Sequence, residues 1–178
     1  MTNSKKKPFL SVLCGGVCAV ILAGLDLWTK SFAASRLASG PIELIPGVFE
    51  LRYLENRGAA FSILQNGRAF FIPVTVIVLI ALVILSLRMP GDKKYRPLRI
   101  LMIFVAAGAL GNLYDRIFLR YVRDFLYISL IDFPIFNVAD MYVTVSAILL
   151  AVLLLFRYKD EDFSFLHPAK QNKTKEAP

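Results

Sequence analysis

Four stretches of the chain are long, apolar and free of charged side chains. A helix needs about 20 apolar residues to cross a hydrocarbon core about 30 Å thick. The uncharged stretches cover residues 9–25, 69–87, 100–114 and 141–156. The second is long enough unaided, whereas the others reach that length only with polar flanks at 26–30, 112–116 and 137–140. We therefore predict four membrane spans, at about 8–30, 69–87, 98–118 and 135–156, with polar groups in or near the membrane.

Composition and charge agree with a membrane protein. Hydrophobic residues make up 57% of the 178 residues, more than a soluble domain of this length needs. Length favours one domain, here a four-span membrane domain over 1–158. Residues 159–178 form a polar tail, predicted to be cytoplasmic and partly disordered.

The distribution of basic residues predicts the orientation. With the N-terminus in the cytoplasm, segments 1–8, 88–99 and 157–178 lie on that side. They hold 13 of the 21 Lys and Arg and five acids, whereas the rest of the chain holds eight of each. This is the positive-inside bias, which predicts that both termini are cytoplasmic. A nucleic-acid partner is disfavoured, because the bases flank the spans and form no patch interleaved with aromatic residues.

The segment between the first two spans has a pattern of its own. Phe49, Leu51 and Tyr53 alternate with polar residues, which predicts a short strand or hairpin. Residues 59–71 mix apolar and polar side chains and are predicted to lie along the membrane interface.

Ionisable groups at membrane depth are costly unless paired, so each is a candidate functional residue. Asp26 and Lys30 end the first span and, four residues apart, share one helix face. The alternative is an interfacial anchor, with Trp28 in the aromatic belt.

Asn56 and Gly58 follow the predicted strand. Asn56 can donate and accept hydrogen bonds, and Gly58 permits a special backbone angle or close approach to a ligand; an ordinary turn is the alternative.

The third span ends in a polar stripe. Asn112, Asp115 and Arg116 fall at helical offsets of three and four, together with Gly108. The small residues Gly108 and Gly111 allow close helix approach. We predict that the stripe lines a polar cavity; a structural pair between Asp115 and Arg116 is the alternative.

Two further acids flank the fourth span. Asp124 lies in the short loop 119–134, and Asp140 opens the span three residues after Asn137 on the same face. One short connection separates the two acids, so they can approach each other. Two close carboxyls keep one proton between them, which supplies a base to activate water and an acid to polarise a carbonyl. This is aspartyl peptidase chemistry. The single His, His167, lies in the tail, so His-based triads and zinc peptidase motifs are missing from the sequence.

Five groups of polar residues have now been described, around Asp26, Asn56, Asn112, Asp124 and Asp140. Taken in chain order, they resemble the bacterial lipoprotein signal peptidases, the signal peptidase II family. The resemblance runs from the first span to the end of the fourth. It implies an all-α membrane protein of four transmembrane helices with a small extracytoplasmic β-cradle and an interfacial helix. It also implies an aspartic endopeptidase that removes the signal peptide from diacylglyceryl-modified prolipoproteins, cutting just before the lipid-bearing Cys. The matching residues are Asp26, Lys30, Asn56, Arg57, Gly58, Gly111, Asn112, Asp115, Arg116, Val122, Asp124, Phe125, Phe136, Asn137, Ala139 and Asp140.

The resemblance also implies roles. Asp124 and Asp140 are the catalytic pair, with Asp115 as the rival for the first carboxylate. The residues implied to hold substrate or orient the pair are Asn56, Gly58, Asn112, Asp115, Arg116 and Asn137, whereas Asp26 and Lys30 are structural. The expected partners are the prolipoprotein substrates and membrane lipids, with no nucleic acid, metal or cofactor. The expected setting is a monomer in the bacterial cytoplasmic (inner) membrane, with its active site on the extracytoplasmic side.

Two other functions fit part of this pattern. A transporter or channel would relay protons through its acids, which would then be spread through the depth of the membrane. Here they gather at one end of the spans, which favours chemistry at the surface. A membrane scaffold without catalysis would tolerate the loss of Asp124 or Asp140.

Overall fold

The computed structural model describes residues 8–58 and 67–166. It confirms the predicted fold of four long helices with a small sheet. The elements are helix α1 (Pro8–Arg36), strands β1 (Ile42–Ile45) and β2 (Phe49–Asn56), helices α2 (Arg68–Arg88) and α3 (Arg96–Phe118), strand β3 (Val122–Tyr127) and helix α4 (Val138–Phe156). Short 3-10 turns cover Lys93–Tyr95, Ser129–Ile131 and Asp160–Leu166. All four helices are long and apolar enough to cross a membrane.

Helix α1 extends six residues beyond the predicted end of the first span. Its 29 residues measure about 43 Å at about 1.5 Å per residue, more than a hydrocarbon core requires. The extra turns are stabilised by packing, because Ala33 and Leu37, the residue just after the helix, are buried against Phe125 of β3. The end of α1 therefore supports the sheet.

Helix α3 lies at the centre of the bundle, between α1 and α4. Its contact with α4 depends on Gly108, where a Cβ atom would overlap the backbone carbonyl of Ala139. Its contact with α1 depends on Gly111, where a Cβ atom would overlap the Asp26 carboxylate. These two glycines let polar groups of three helices meet.

The outer faces of the helices are apolar. Large exposed side chains such as Val20, Ile77 and Leu155 cover them. An apolar surface of this extent matches a bilayer, where hydrocarbon takes the place of water. The chain is a multi-pass membrane protein.

The sheet has the antiparallel order β1-β2-β3. Strand β2 confirms the strand predicted from the alternation that begins at Phe49. The predicted loop 119–134 contains an additional strand, β3. Beyond it the chain turns back, and Phe136 exchanges backbone hydrogen bonds of 3.0 and 2.8 Å with Leu126. This pairing holds the start of α4 beside β3.

The opposite end of the bundle is closed by aromatic residues and an ion pair. Tyr95 and Tyr158 are buried there, and each donates through its hydroxyl to a backbone carbonyl of the other segment. Lys94 pairs with Asp162 at 2.5 Å. Residues 160–166 of the tail thus pack on the α2–α3 turn. The predicted disorder at the end of the tail falls on residues 167–178, which lie outside the described residues. Of the predicted interfacial segment 59–71, residues 59–66 also lie outside them, and residues 68–71 belong to α2.

Candidate active site

Asp140 occupies the first turn of α4. Asn137 caps this helix by accepting from the Asp140 backbone N–H at 3.0 Å, and the Asp140 carboxylate accepts from the Asn137 backbone N–H at 3.1 Å. This reciprocal capping box satisfies two backbone donors that a helix start leaves free. It also explains why α4 begins at Val138, three residues later than predicted. The second carboxyl oxygen of Asp140 accepts from Asn112 Nδ2 at 2.7 Å.

Asp124 lies on β3, with a side chain that is only 1% exposed. One carboxyl oxygen accepts from Asn56 Nδ2 at 2.8 Å and the other from Asn137 Nδ2 at 2.6 Å. Burial, and next the nearby Asp140 carboxylate, raise the pKa of Asp124 to about 7, although the two amides donate to it. The environment of Asp124 therefore favours the protonated carboxyl more than water does.

Asn137 and Asn112 connect the two acids. Asn137 is fully buried, caps the helix that carries Asp140 and donates to Asp124. It also donates to Asn112 Oδ1 at 3.2 Å. The turn after β2 fixes the remaining amide, because the Gly58 backbone N–H donates to Asn56 Oδ1 at 3.0 Å. The structure thus brings together both predicted acids and all three predicted amides.

Asp26 and Lys30 form a buried pair, with no exposed side-chain surface and 2.7 Å between Nζ and Oδ2. The other Asp26 oxygen accepts from the Ala139 backbone N–H at 2.8 Å. Lys30 donates to Asn112 Oδ1 at 2.8 Å. The pair is therefore buried among the helices, whereas Trp28 is 65% exposed on the outer face.

Asp115 is buried, and its ion-pair partner is Arg123 rather than the neighbouring Arg116. Arg123 donates to its carboxylate from the backbone N–H, Nε and a terminal nitrogen, at 3.1, 3.2 and 2.7 Å. Lys30 lies 3.7 Å from the same carboxylate. Bidentate arginine pairing makes Asp115 a structural anchor between α3 and β3.

Arg116 points to the other side of α3. Its guanidinium lies 5.0 Å from the centre of the Phe71 ring on α2. Together with Asn112 and Asp140 it lines a cavity of about 250 Å³ between α2, α3 and α4. Of the stripe predicted to line a polar cavity, Gly108, Asn112 and Arg116 line this one, whereas Asp115 does not. The other lining residues are Thr75, Ala109, Val143 and Thr144.

Sequence reasoning missed Arg123 and the two threonines. Arg123 is eight residues from Asp115 across a helix end and a turn, so no helical or strand period relates them. Thr75 is an isolated hydroxyl in an apolar run and gave no signal. Within the two described ranges, no group of three or more His, Cys, Asp or Glu is placed to hold a metal ion.

Comparison with known proteins identifies the family. The family model described as signal peptidase (SPase) II matches residues 18–156. The chain belongs to the signal peptidase II family. The lipoprotein signal peptidase of Streptococcus thermophilus is 42% identical over 149 residues, covering 83% of this chain and 94% of the relative. That of Streptococcus pyogenes is 40% identical over 145 residues, covering 81% and 92%.

Two solved structures of bacterial membrane enzymes are similar to this fold. A bacterial membrane enzyme determined by the in meso method at 2.3 Å matches with a TM-score of 0.69 and 31% identity, over 93% of this chain and 94% of that one. A second, at 1.9 Å, matches with a TM-score of 0.70 and 34% identity, over 82% and 94%.

Membership of the signal peptidase II family confirms the predicted enzyme class. The chain is a peptidase that removes signal peptides from prolipoproteins. This finding replaces the transporter and scaffold alternatives.

Proposed function

We propose that the chain is an aspartic endopeptidase in which Asp124 and Asp140 share one proton. One observation carries the proposal: an acid from β3 and an acid from the start of α4 are joined by the same Asn137 side chain. The raised pKa of Asp124, about 7, supports a pair that holds a single proton at neutral pH.

In the mechanism we assign, Asp140 is the base and Asp124 the acid. The start of α4 interacts favourably with a negative charge, which suits a carboxylate that takes a proton from water. The hydroxide oxygen bonds to the scissile carbonyl carbon, while protonated Asp124 donates to the carbonyl oxygen. The tetrahedral gem-diol intermediate then breaks its C–N bond: Asp140 gives its proton to the leaving nitrogen, while one hydroxyl of the intermediate returns a proton to Asp124 and the carboxyl product forms. Asn56, Asn112 and Asn137 hold the two carboxyls in place.

The cavity of about 250 Å³ beside Asp140 is our candidate for the scissile segment. Asn112 and Arg116 supply polar contacts for a peptide backbone, while Val143 and the apolar outer faces of α2 and α4 suit a substrate anchored in lipid. We propose diacylglyceryl-modified prolipoproteins as substrates, cut just before the lipid-bearing Cys. Their acyl chains would confine the substrate to the membrane and bring the bond to the depth of the acids.

We place this site on the extracytoplasmic side of the bacterial cytoplasmic membrane, with both termini inside. The positive-inside bias supports this orientation, because the end of the bundle opposite the acids carries the excess of Lys and Arg. We expect a monomer, since both acids and all three amides come from one chain.

Purified full-length protein in lipid, mixed with a diacylglyceryl-modified precursor, tests the proposal. Asp124→Asn and Asp140→Asn should each lower kcat by at least about 100-fold, because each removes one half of the acid–base pair. Asp132→Asn is the matched control: Asp132 is an exposed acid near the same sheet, and Asn still accepts from the Tyr127 hydroxyl. Processing that survives both substitutions in the pair would refute the proposal.

A further inference from the structure

Lys30 is a buried cation that reaches beyond its ion-pair partner. Its ammonium lies 2.7 Å from Asp26 and 3.7 Å from Asp115, and it donates to the uncharged Asn112 at 2.8 Å. Neutralising acids accounts for the first two contacts. The third connects α1 to the amide that holds Asp140.

The Asn112 amide must be held in one of two orientations. Its oxygen accepts from Lys30, and its NH₂ group donates to Asp140 at 2.7 Å. A lysine ammonium has only donors, so it forces the oxygen of the amide to face it and the NH₂ group to face Asp140. Asn137 donates to the same oxygen, but over 3.2 Å and without a charge, so the Lys30 bond is the stronger.

We propose that Lys30 is a positioning residue, which acts through Asn112 to hold the Asp140 carboxylate in its reactive place. This inference rests on the proposed function of Asp124 and Asp140. Without the ammonium, the Asn112 oxygen keeps only the longer, uncharged bond from Asn137 Nδ2 at 3.2 Å. The Asn112 side chain is then held less firmly, and its hydrogen bond no longer fixes the Asp140 carboxylate in one place.

The competing explanation is that Lys30 only neutralises the buried Asp26. Lys30→Met alone does not separate the two, because it leaves Asp26 buried without its partner and risks misfolding. The double variant Asp26→Asn/Lys30→Met removes both charges at once. Asn at position 26 can still accept from the Ala139 backbone N–H, and Asp115 keeps Arg123 as its partner.

The experiment measures kcat, KM and the thermal unfolding midpoint of the full chain in lipid with a diacylglyceryl-modified precursor. We expect the double variant to fold with a midpoint close to that of the wild type, with kcat about 100-fold lower and KM little changed, as misplaced reacting groups would give. Asp26→Asn alone keeps Lys30 and should retain most of kcat. Asp26→Asn/Lys30→Gln, which restores a donor, should exceed the Met version in kcat.

Tyr158→Phe is the matched control for stability, because it removes a buried hydrogen bond at the opposite end of the bundle and should lower the midpoint without changing kcat. A wild-type kcat in the double variant would overturn the inference. Equal kcat in the Met and Gln double variants would also overturn it, since a donor to Asn112 at position 30 would then have no effect on catalysis. If Asp140→Asn still processes the precursor, the proposed function fails instead, so the two failures are distinguishable.

Discussion

At the scale of single residues, the site depends on amides as much as on acids. All four carboxyl oxygens of Asp124 and Asp140 accept from amide N–H groups, three from Asn side chains and one from the Asn137 backbone. Amides do not ionise, so they orient the acids without adding charge. For Asp124, burial and then the nearby Asp140 carboxylate raise the pKa, and the hydrogen bonds from Asn56 and Asn137 only partly oppose this rise.

The pKa of Asp124 predicts a pH dependence. In the proposed mechanism, Asp124 supplies the proton that polarises the substrate carbonyl, and it would lose this proton as pH rises through its pKa of about 7. We expect kcat/KM, which reports groups of the free enzyme, to fall as pH rises through about 7. Initial rates at low precursor concentration from about pH 5 to pH 9 measure it. Asp132→Asn should show the same profile, and a kcat/KM that stays flat across this range would contradict the assignment.

At the scale of elements, close contact between α3 and α4 sets the distance between Asn112 and Asp140. This contact depends on Gly108, which faces the carbonyl of Ala139, one residue before Asp140. A backbone carbonyl in the first turn of a helix cannot move without moving the turn. Small residues at such crossings are typical of membrane helices, because they let backbones approach closely.

Gly108→Ala should therefore separate α3 from α4. We expect the free energy of unfolding to fall by about 1–3 kcal/mol, the usual cost of overpacking. We also expect kcat to fall, because Asn112 loses its contact with Asp140. Gly24→Ala is the matched control, since a Cβ atom there meets nothing within 4 Å. The free energy of unfolding and kcat are measured for both variants. Equal values in Gly108→Ala and Gly24→Ala would show that the contact at Gly108 is not critical.

At the scale of the whole molecule, the two ends of the bundle differ in chemistry. One end carries the sheet and the buried acids. The other carries Tyr95, Tyr158 and the Lys94–Asp162 pair, which hold the first part of the tail against the α2–α3 turn. The apolar faces between them fix the depth of both ends in the bilayer. The orientation therefore decides on which side the peptidase works.

Labelling of single cysteines tests the orientation. In a background with Cys14→Ala and Cys18→Ala, Asp132→Cys and Asp92→Cys each introduce one thiol at an exposed position, at opposite ends of the bundle. A membrane-impermeant maleimide added to intact cells should label the Asp132→Cys protein and leave the Asp92→Cys protein unlabelled until the membrane is permeabilised. The reverse pattern would invert the orientation.

The sequence by itself determined the four spans, the strand β2 and the set of polar residues at one end of the helices. These follow from local properties: a bilayer demands long apolar runs, and a strand exposes alternate side chains. Only the tertiary structure decided which polar groups meet. Lys30 and Asn112 are 82 residues apart, and their bond exists because Gly111 lets α1 approach α3. The pair of Asp115 and Arg123 likewise joins two elements, α3 and β3. Such pairs depend on tertiary packing, which no local sequence period encodes.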